Sequence, residues 1–411
     1  MKTRLIYLTV LVALVASCRN IDDLNDHNEL KVFEIISHTP AAMELGGGKS
    51  EMSEHIHREP DGKILIGQNL ETKEKFYIRI DEPCELYPVA DDMALCHPKM
   101  QNDSKKLVIK DVEAGWFVRV DHIKHYGTDP DLERACIHTS EPLIFMSLDI
   151  PANSTCLIWE HTMDSNGKPC PNPRVIRPRR LIDNIVNGPV EVDVRSFGVR
   201  TPPCTKNLPN YGIMGIMQVI PPALGWLWRL TAPRGHDNPS IVGPEGMQSE
   251  GIGSYGYFLT GSVVTQANLL LEQVRNTPNT RYVLIPNQHI GCYKVGFMPQ
   301  WIAREYIARR GSAKFKLDHL IPARSPLLGY SLESLKIDGQ YVRKAFLRPE
   351  TQAEVGFEGY DGGAKILSDF FKKELAKFNT PELLPMGKRI IEICLNDGTL
   401  EDYLEVIPMR Y

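Results

Sequence analysis

The stretch Met43-Glu44-Leu45-Gly46-Gly47-Gly48-Lys49-Ser50 constrains this chain more than any other. Three consecutive glycines followed by a lysine and a hydroxyl residue carry the chemistry of a phosphate-binding loop. Such loops read G-x-x-x-x-G-K-[ST]: glycines let backbone N–H groups close on phosphate oxygens, lysine reaches the outer phosphates, and the hydroxyl ligates Mg²⁺. Gly46, Gly47, Gly48, Lys49 and Ser50 supply these parts, and Met43 stands where the pattern has its first glycine. A loop of this kind joins a strand to a helix. Residues 31–38 (KVFEIISH) predict the strand, and residues 50–56 a short helix whose N–H dipole end faces the phosphates.

Downstream, Pro88-Val89-Ala90-Asp91-Asp92 runs an apolar stretch into two adjacent carboxylates. Phosphoryl transfer needs such a pair after its loop. One carboxylate holds Mg²⁺, directly or through water, and the other accepts the proton of an attacking hydroxyl or orients a water. Alone, adjacent aspartates mark a turn or a solvated strand end. Together with the loop they predict a nucleotide site that takes ATP and Mg, with Lys49, Asp91 and Asp92 catalytic and Ser50, Asp91 and Asp92 at the metal.

The 411 residues allow two domains or one large α/β domain. With 42% hydrophobic and 24% charged residues, a sizeable core is available. A net charge of −4 disfavours broad nucleic-acid binding, which needs a basic surface. At the N-terminus, Lys2 and Arg4 precede an apolar run over residues 5–15, and Val15-Ala16-Ser17-Cys18 follows. This resembles a bacterial lipoprotein signal, in which Cys18 becomes the lipidated first residue. A buried strand or short helix is the other reading. An exported location would place a nucleotide loop where ATP is scarce. The other eight cysteines (Cys84, Cys96, Cys136, Cys156, Cys170, Cys204, Cys292 and Cys394) form no C-x-x-C pair. They read as buried free thiols, which favours the cytoplasm over the envelope.

Organisation follows: residues 1–18 as signal, 19–30 as polar tether, 31–210 as the nucleotide-binding core, and 211–411 as a C-terminal α/β part packed on it. A hairpin is predicted over residues 63–80 and treated as an insertion. Strands are predicted around Val89 and over residues 106–112, 116–120, 142–148, 155–160, 190–196 and 281–286. Helices are predicted over residues 262–275, 299–310 (amphipathic, with proline in its first turn) and 364–378. In the last, Ile366, Leu367, Phe370, Phe371 and Leu375 form an apolar stripe read as core packing. Alternating strands and helices predict α/β architecture.

With the loop and the double aspartate placed, the chain resembles the nucleotide-binding core shared by HPr kinase/phosphorylase and ATP-dependent phosphoenolpyruvate carboxykinase. HPr kinases carry G-x-S-G-x-G-K-S-E and then V-A-D-D. Here Gly46, Gly48, Lys49, Ser50 and Glu51 match, as do Val89-Ala90-Asp91-Asp92, while Met43 and Leu45 depart. The resemblance implies an α/β fold with a P-loop-containing mixed sheet and flanking helices. It also implies a phosphotransferase acting on a protein hydroxyl or a small carboxylic acid. In those families a histidine upstream of the loop helps at the metal or phosphate, which points to His27 or His38. From about residue 51 to 378 the chain looks like an uncharacterised bacterial family of larger proteins, carried by stretches such as NPRVIRPRRLIDNIVNGPVEVDVRSFGVRTPPCTK and RYVLIPNQHIGCYKVGFMPQWIAREY. On that likeness the chain lacks a domain that would precede the loop. A non-catalytic lipid-anchored envelope protein on the same scaffold, or an inactive truncated product, are the alternatives.

Other constellations are weaker. Asp121, His122 and His125 offer metal-ligand types but read as a polar strand end. Arg174, Arg177, Arg179 and Arg180 cluster in a stretch read as a solvated basic loop, whose guanidinium forks suit phosphates or carboxylates. Arg195 and Arg200 lie near a predicted strand end and are candidate phosphate clamps. A glycine-dense block over residues 234–256 is long enough to cover a substrate. His289 follows the 281–286 strand, where ligands bind in open α/β sheets. Trp226 and Trp228 read as core or interface aromatics.

Overall fold

The computed structural model describes residues 33–34, 61–80, 87–90, 94–96, 98–111, 113–119, 127, 130, 134, 174–234, 247–249, 262–296, 298–310 and 315–410. Strand β1 (Phe33–Glu34) falls within the stretch expected to lead into the loop. The predicted hairpin forms as β2 (Lys63–Asn69) and β3 (Lys75–Arg79), antiparallel. Asn69 organises its turn: the side-chain oxygen accepts from the N–H groups of Glu71 and Thr72, each at 2.9 Å.

The strand expected around Val89 forms later, as β4 (Ala94–Leu95). Residues 88–90 are buried without regular structure. Pro88 has no N–H for a ladder, and its carbonyl accepts from Val186 N–H at 2.8 Å, so this stretch pairs with a loop rather than a strand. Strands β5 (Leu107–Asp111) and β6 (Gly115–Arg119) form where expected, and β7 (Arg174–Pro178) pairs antiparallel with β6. The single strand expected over 190–196 is two, β8 (Val190–Val192) and β9 (Val194–Val199), separated at Asp193 and sent to different sheets.

Strand β10 (Gln218–Ile220) leads into helix α1 (Pro222–Thr231). Pro222 suits the first helical turn because its missing N–H would have no partner there. The helix stops at Ala232 in a left-handed conformation, φ 30°, before Pro233. Strands β11 (Pro233–Arg234) and β12 (Gln248–Ser249) pair at the root of the glycine-dense block. Helix α2 (Val263–Asn276) is capped by Ser262, whose Oγ accepts from Thr265 N–H at 3.2 Å. Then come β13 (Arg281–Pro286), β14 (His289–Ile290), β15 (Tyr293–Lys294), α3 (Met298–Arg310), β16 (Leu320–Pro322) and β17 (Tyr330–Leu332). A single turn α4 (Lys344–Leu347) precedes α5 (Gly356–Leu375), α6 (Pro385–Leu395) and α7 (Leu400–Val406).

The architecture is mixed α/β with several sheets. The central one has the order β16-β17-β10-β13-β9, with β13 parallel to β9 and antiparallel to β10. The RYVLIP sequence of β13 explains its central place: side chains alternate across a strand, and both faces here are apolar. Tyr282 and Leu284 enter one hydrophobic cluster with Trp226, Trp228, Leu271 and Phe371, so helices α1, α2 and α5 cover that face. Val283 and Ile285 enter a second cluster with Ile64, Ile66, Ile78, Trp301 and Ile302, so α3 and the β2–β3 hairpin cover the other. The hairpin, expected as an insertion, is thus a wall of the second core and joins the sheet β14-β15-β2-β3.

Both tryptophans on α1 are core, as expected. Their indole N–H groups donate to Ala267 O at 2.8 Å and Leu327 O at 2.6 Å, which removes the penalty of burying a polar atom. Helix α3 is not amphipathic, against expectation. Met298 through Ala303, Glu305 and Tyr306 are all buried, because the helix lies between β13 and β2. Helix α5 begins eight residues earlier than expected (364 − 356). Its glycines lower helix propensity but admit a neighbouring backbone. A Cβ at Gly359 would lie 2.9 Å from Thr205 O, and one at Gly362 2.8 Å from Pro209 Cβ. The predicted stripe packs as core except Ile366, which is 39% exposed.

Candidate functional site

Gly46, Gly47, Gly48, Lys49, Ser50, Asp91 and Asp92 lie outside the described residues, as do His27, His38, Asp121, His122, His125 and the strands expected over 142–148 and 155–160. The frame that leads to them is described. Strand β4 is the middle strand of its group: Ala94 is opposite Glu34 of β1 on one side and Asp111 of β5 on the other, both antiparallel. Direction follows from this register. The end of β1 from which the chain runs on toward Gly46 is the end of β4 reached from Asp92. On the other flank of the aspartates, Val89 and Ala90 are 2% and 0% exposed.

The stretch expected as a solvated basic loop is instead strand β7 followed by a tight turn over Arg179–Leu181. Only Arg180 of the turn is exposed. Arg177 Nε donates to Leu181 O at 3.2 Å. Arg179 turns inward. Its Nε donates to Asp111 Oδ2 at 2.7 Å, Nη1 to Asn187 Oδ1 at 2.6 Å, and Nη2 to Val186 O at 2.5 Å and Val89 O at 3.5 Å. The fork therefore takes a carboxylate and loop oxygens of the fold. Burial pushes the Asp111 carboxyl above the usual carboxylate range, against the pull of Arg179 and of the Glu113 N–H, which donates at 3.1 Å. Nothing local in the sequence marks Asp111, because a lone carboxylate ending a strand, 68 residues from its arginine, leaves no pattern.

The two other candidate arginines part company. Arg195 lies at the start of β9, opposite Tyr282, with its guanidinium 5.7 Å from that ring centroid. Burial lowers its pKa, opposed by Tyr282. Arg200 follows the carboxyl end of β9, and His289 follows that of β13. The structure brings these two segments together: Asn287 N–H donates to Val199 O at 3.1 Å and Thr201 Oγ1 to His289 O at 2.7 Å. His289 Nδ1 lies 2.8 Å from Thr201 O. A carbonyl only accepts, so Nδ1 carries the proton. The Tyr211 hydroxyl donates to Arg200 O and lies 3.5 Å from Pro233 O, which ties the root of the glycine-dense block to this strand end.

Four cysteines are described, Cys96, Cys204, Cys292 and Cys394, all free and buried as expected. Burial pushes Cys96 and Cys292 up to about 12 and Cys394 to about 11, and raises Cys204 as well. Around Cys292, Asn69 Nδ2 donates to Sγ at 3.3 Å and Sγ donates to Gln352 Oε1 at 3.3 Å. A thiol with a pKa near 12 is about one part in ten thousand thiolate at pH 8, and only thiolate reacts. At pH 8 the native protein is therefore expected to leave Cys96 and Cys292 unmodified by iodoacetamide, while urea-unfolded protein takes up label at both. Peptide mass spectrometry checks this; equal labelling of Cys96 and Cys292 in both states would contradict it.

Among the described residues no group of three or more His, Cys, Asp or Glu side chains forms a metal site. No described helix is long and apolar enough to cross a membrane. Comparison with curated proteins gives no match. A family model described as a domain of unknown function matches residues 30–407, which takes in the glycine-rich loop, the double aspartate and the C-terminal helices. The chain belongs to that family, DUF4914.

Proposed function

We propose that this chain is a P-loop phosphotransferase that binds ATP with Mg²⁺ and transfers phosphoryl to a small-molecule or protein acceptor, on a fold of the phosphoenolpyruvate-carboxykinase type. The observation that carries the reading is the register of β1 against β4. It sets the outgoing end of β1, at Glu34, beside the incoming end of β4, at Ala94. A nucleotide site needs that convergence, since the phosphates and the metal they share must be reached from both. The mixed α/β architecture with several sheets is of the broad class the motif implies.

In this reading Lys49 and the amides of Gly46, Gly47 and Gly48 hold the phosphates. Ser50 and one of Asp91 and Asp92 hold the metal, and the other aspartate accepts the proton of the acceptor hydroxyl. When bound, Mg–ATP supplies an activated phosphoryl group whose charge the metal partly neutralises. Calorimetry of the purified full chain with millimolar ATP and Mg²⁺ tests the proposal. Saturable heat supports it, and the absence of any binding heat removes it.

A further inference from the structure

We propose that the outer edge of strand β3 docks an acidic, extended segment of a partner protein, which adds to the four-stranded sheet as a further strand. Strand β3 ends the sheet β14-β15-β2-β3, and among the described residues no strand pairs with its other side. The direction of its main chain is fixed at both ends. Arg79 N–H donates to Gln340 Oε1 at 3.0 Å and Arg79 O accepts from Gln340 Nε2, so both groups of Arg79 point outward. Glu74 O points inward, accepting from Asn69 N–H at 2.8 Å. Main-chain groups alternate along a strand, so those of Tyr77 and Lys75 also point outward. At Arg79 a side-chain amide thus makes the two bonds that an added strand would make, and the next two outward positions stand ready for such a strand.

Charge chooses the occupant. Phe76 and Ile78 pack on the second core, so Lys75, Tyr77 and Arg79 share the opposite face. Lys75 and Arg79 are exposed, with the half-buried Tyr77 between them. Lys75 is opposite Gln68 of β2, and Gln68 is opposite the exposed Lys294 of β15, so a Lys-Gln-Lys row crosses the sheet. Nearby carboxylates are engaged elsewhere. Glu74 accepts from Arg343 Nη1 at 2.6 Å and from Tyr293 OH at 3.2 Å, Asp61 holds Lys63 at 2.6 Å, and Glu71 stands in the turn outside the strand. Past Arg79, the hairpin of β18 (Lys336–Ile337) and β19 (Gln340–Tyr341) presents Tyr341, 67% exposed, with Lys336 Nζ 5.2 Å from its ring centroid. A second copy of this chain paired edge to edge would set Lys75 and Arg79 against the same cations, and like charges directly opposite destabilise a pair. Edge lysines guard a sheet against such self-pairing. A strand with a carboxylate opposite Lys75 and an apolar or aromatic side chain opposite Tyr77 passes that guard, which makes the edge selective.

The probes are three fluorescein-labelled peptides: Glu-Val-Tyr-Val-Glu, its counterpart with lysine for glutamate, and the acidic peptide with N-methylated main-chain amides. Each is titrated against the full chain by fluorescence anisotropy at low salt. Saturable binding of the acidic peptide is expected, about 10-fold or more tighter than that of the other two, and weakened about 10-fold or more by Lys75→Glu. Tyr77→Pro removes the outward N–H at a place where an edge strand accepts proline, and is expected to abolish binding while the melting curve is kept. An acidic peptide that does not bind saturably overturns the proposal. Equal binding of the acidic and N-methylated peptides also overturns it, because attraction of charge is then enough without strand pairing. A wild type that dimerises in analytical ultracentrifugation, and fails to as Tyr77→Pro, overturns it in favour of a second copy. Should Tyr77→Pro not fold, Lys75→Glu at its exposed position decides; unchanged affinity for the acidic peptide overturns the proposal.

Discussion

ATP–Mg binding is expected to fall beyond the millimolar range when Lys49 is replaced by alanine. In the proposed site the ammonium meets the outer phosphates, and removing one partner of a desolvated charge pair costs about 2–5 kcal/mol, or on the order of 30- to several thousand-fold. Lys49→Arg keeps the charge but substitutes a planar fork for a point charge, and is expected to recover only part of the affinity. Melting curves should coincide for all three proteins, because a loop lysine that serves a ligand contributes little to the unliganded fold. Alanine and wild-type proteins that bind ATP equally would remove the loop from the site.

Gly212→Ala is expected to abolish cooperative folding. A Cβ there falls on the carbonyl oxygen of Pro202 and 2.8 Å from its carbonyl carbon, so the neighbour that must yield is backbone. That backbone is held. Gly291 N–H donates to Gly212 O at 3.1 Å, and Cys204 N–H donates to Gly291 O at 2.9 Å, so three segments are stacked with no space for a methyl group. Overpacking a well-packed core typically costs 1–3 kcal/mol, but a clash with fixed backbone belongs to the rare losses above about 4–5 kcal/mol. Gly339→Ala is the control: its φ is 78° with nothing within 4 Å of the added atom, so only backbone strain of about 1 kcal/mol is expected. Circular dichroism melts of the two variants distinguish them, and a Gly212→Ala protein with a wild-type melt would contradict the packing described.

Elements whose information is local were legible in the sequence. RYVLIP reads as a strand, the apolar spacing of residues 262–275 as a helix, and the runs within 63–80 as a hairpin, and all three form. Local pattern and structure differ where a distant partner decides. Residues 88–90 are apolar enough for a strand, yet Pro88 and Val186 pair outside any ladder. Helix α3 carries charges at spacings that imply a wet face, but β13 and β2 close over it. Gly359, Gly362 and Gly363 are poor helix formers by residue type, and their use is visible only once residues 205–210 lie against them. The same holds at the candidate site. The loop and the double aspartate announce themselves by residue type and spacing. Arg179 stood out only as one of four clustered arginines, and Asp111 not at all, since an ion pair between β5 and the turn after β7 is written in the fold and not in either segment.

The central claim is that residues 46–50 and the carboxylates at 91 and 92 act on one metal-bound nucleotide. Calorimetry of ATP binding with Mg²⁺ and with EDTA, on wild type and on Asp91→Asn/Asp92→Asn, tests it most directly. The account predicts that Mg²⁺ strengthens ATP binding to wild type, and that the double variant keeps its metal-free affinity while losing the gain from Mg²⁺. A double variant in which Mg²⁺ strengthens ATP binding as much as in wild type would contradict the account.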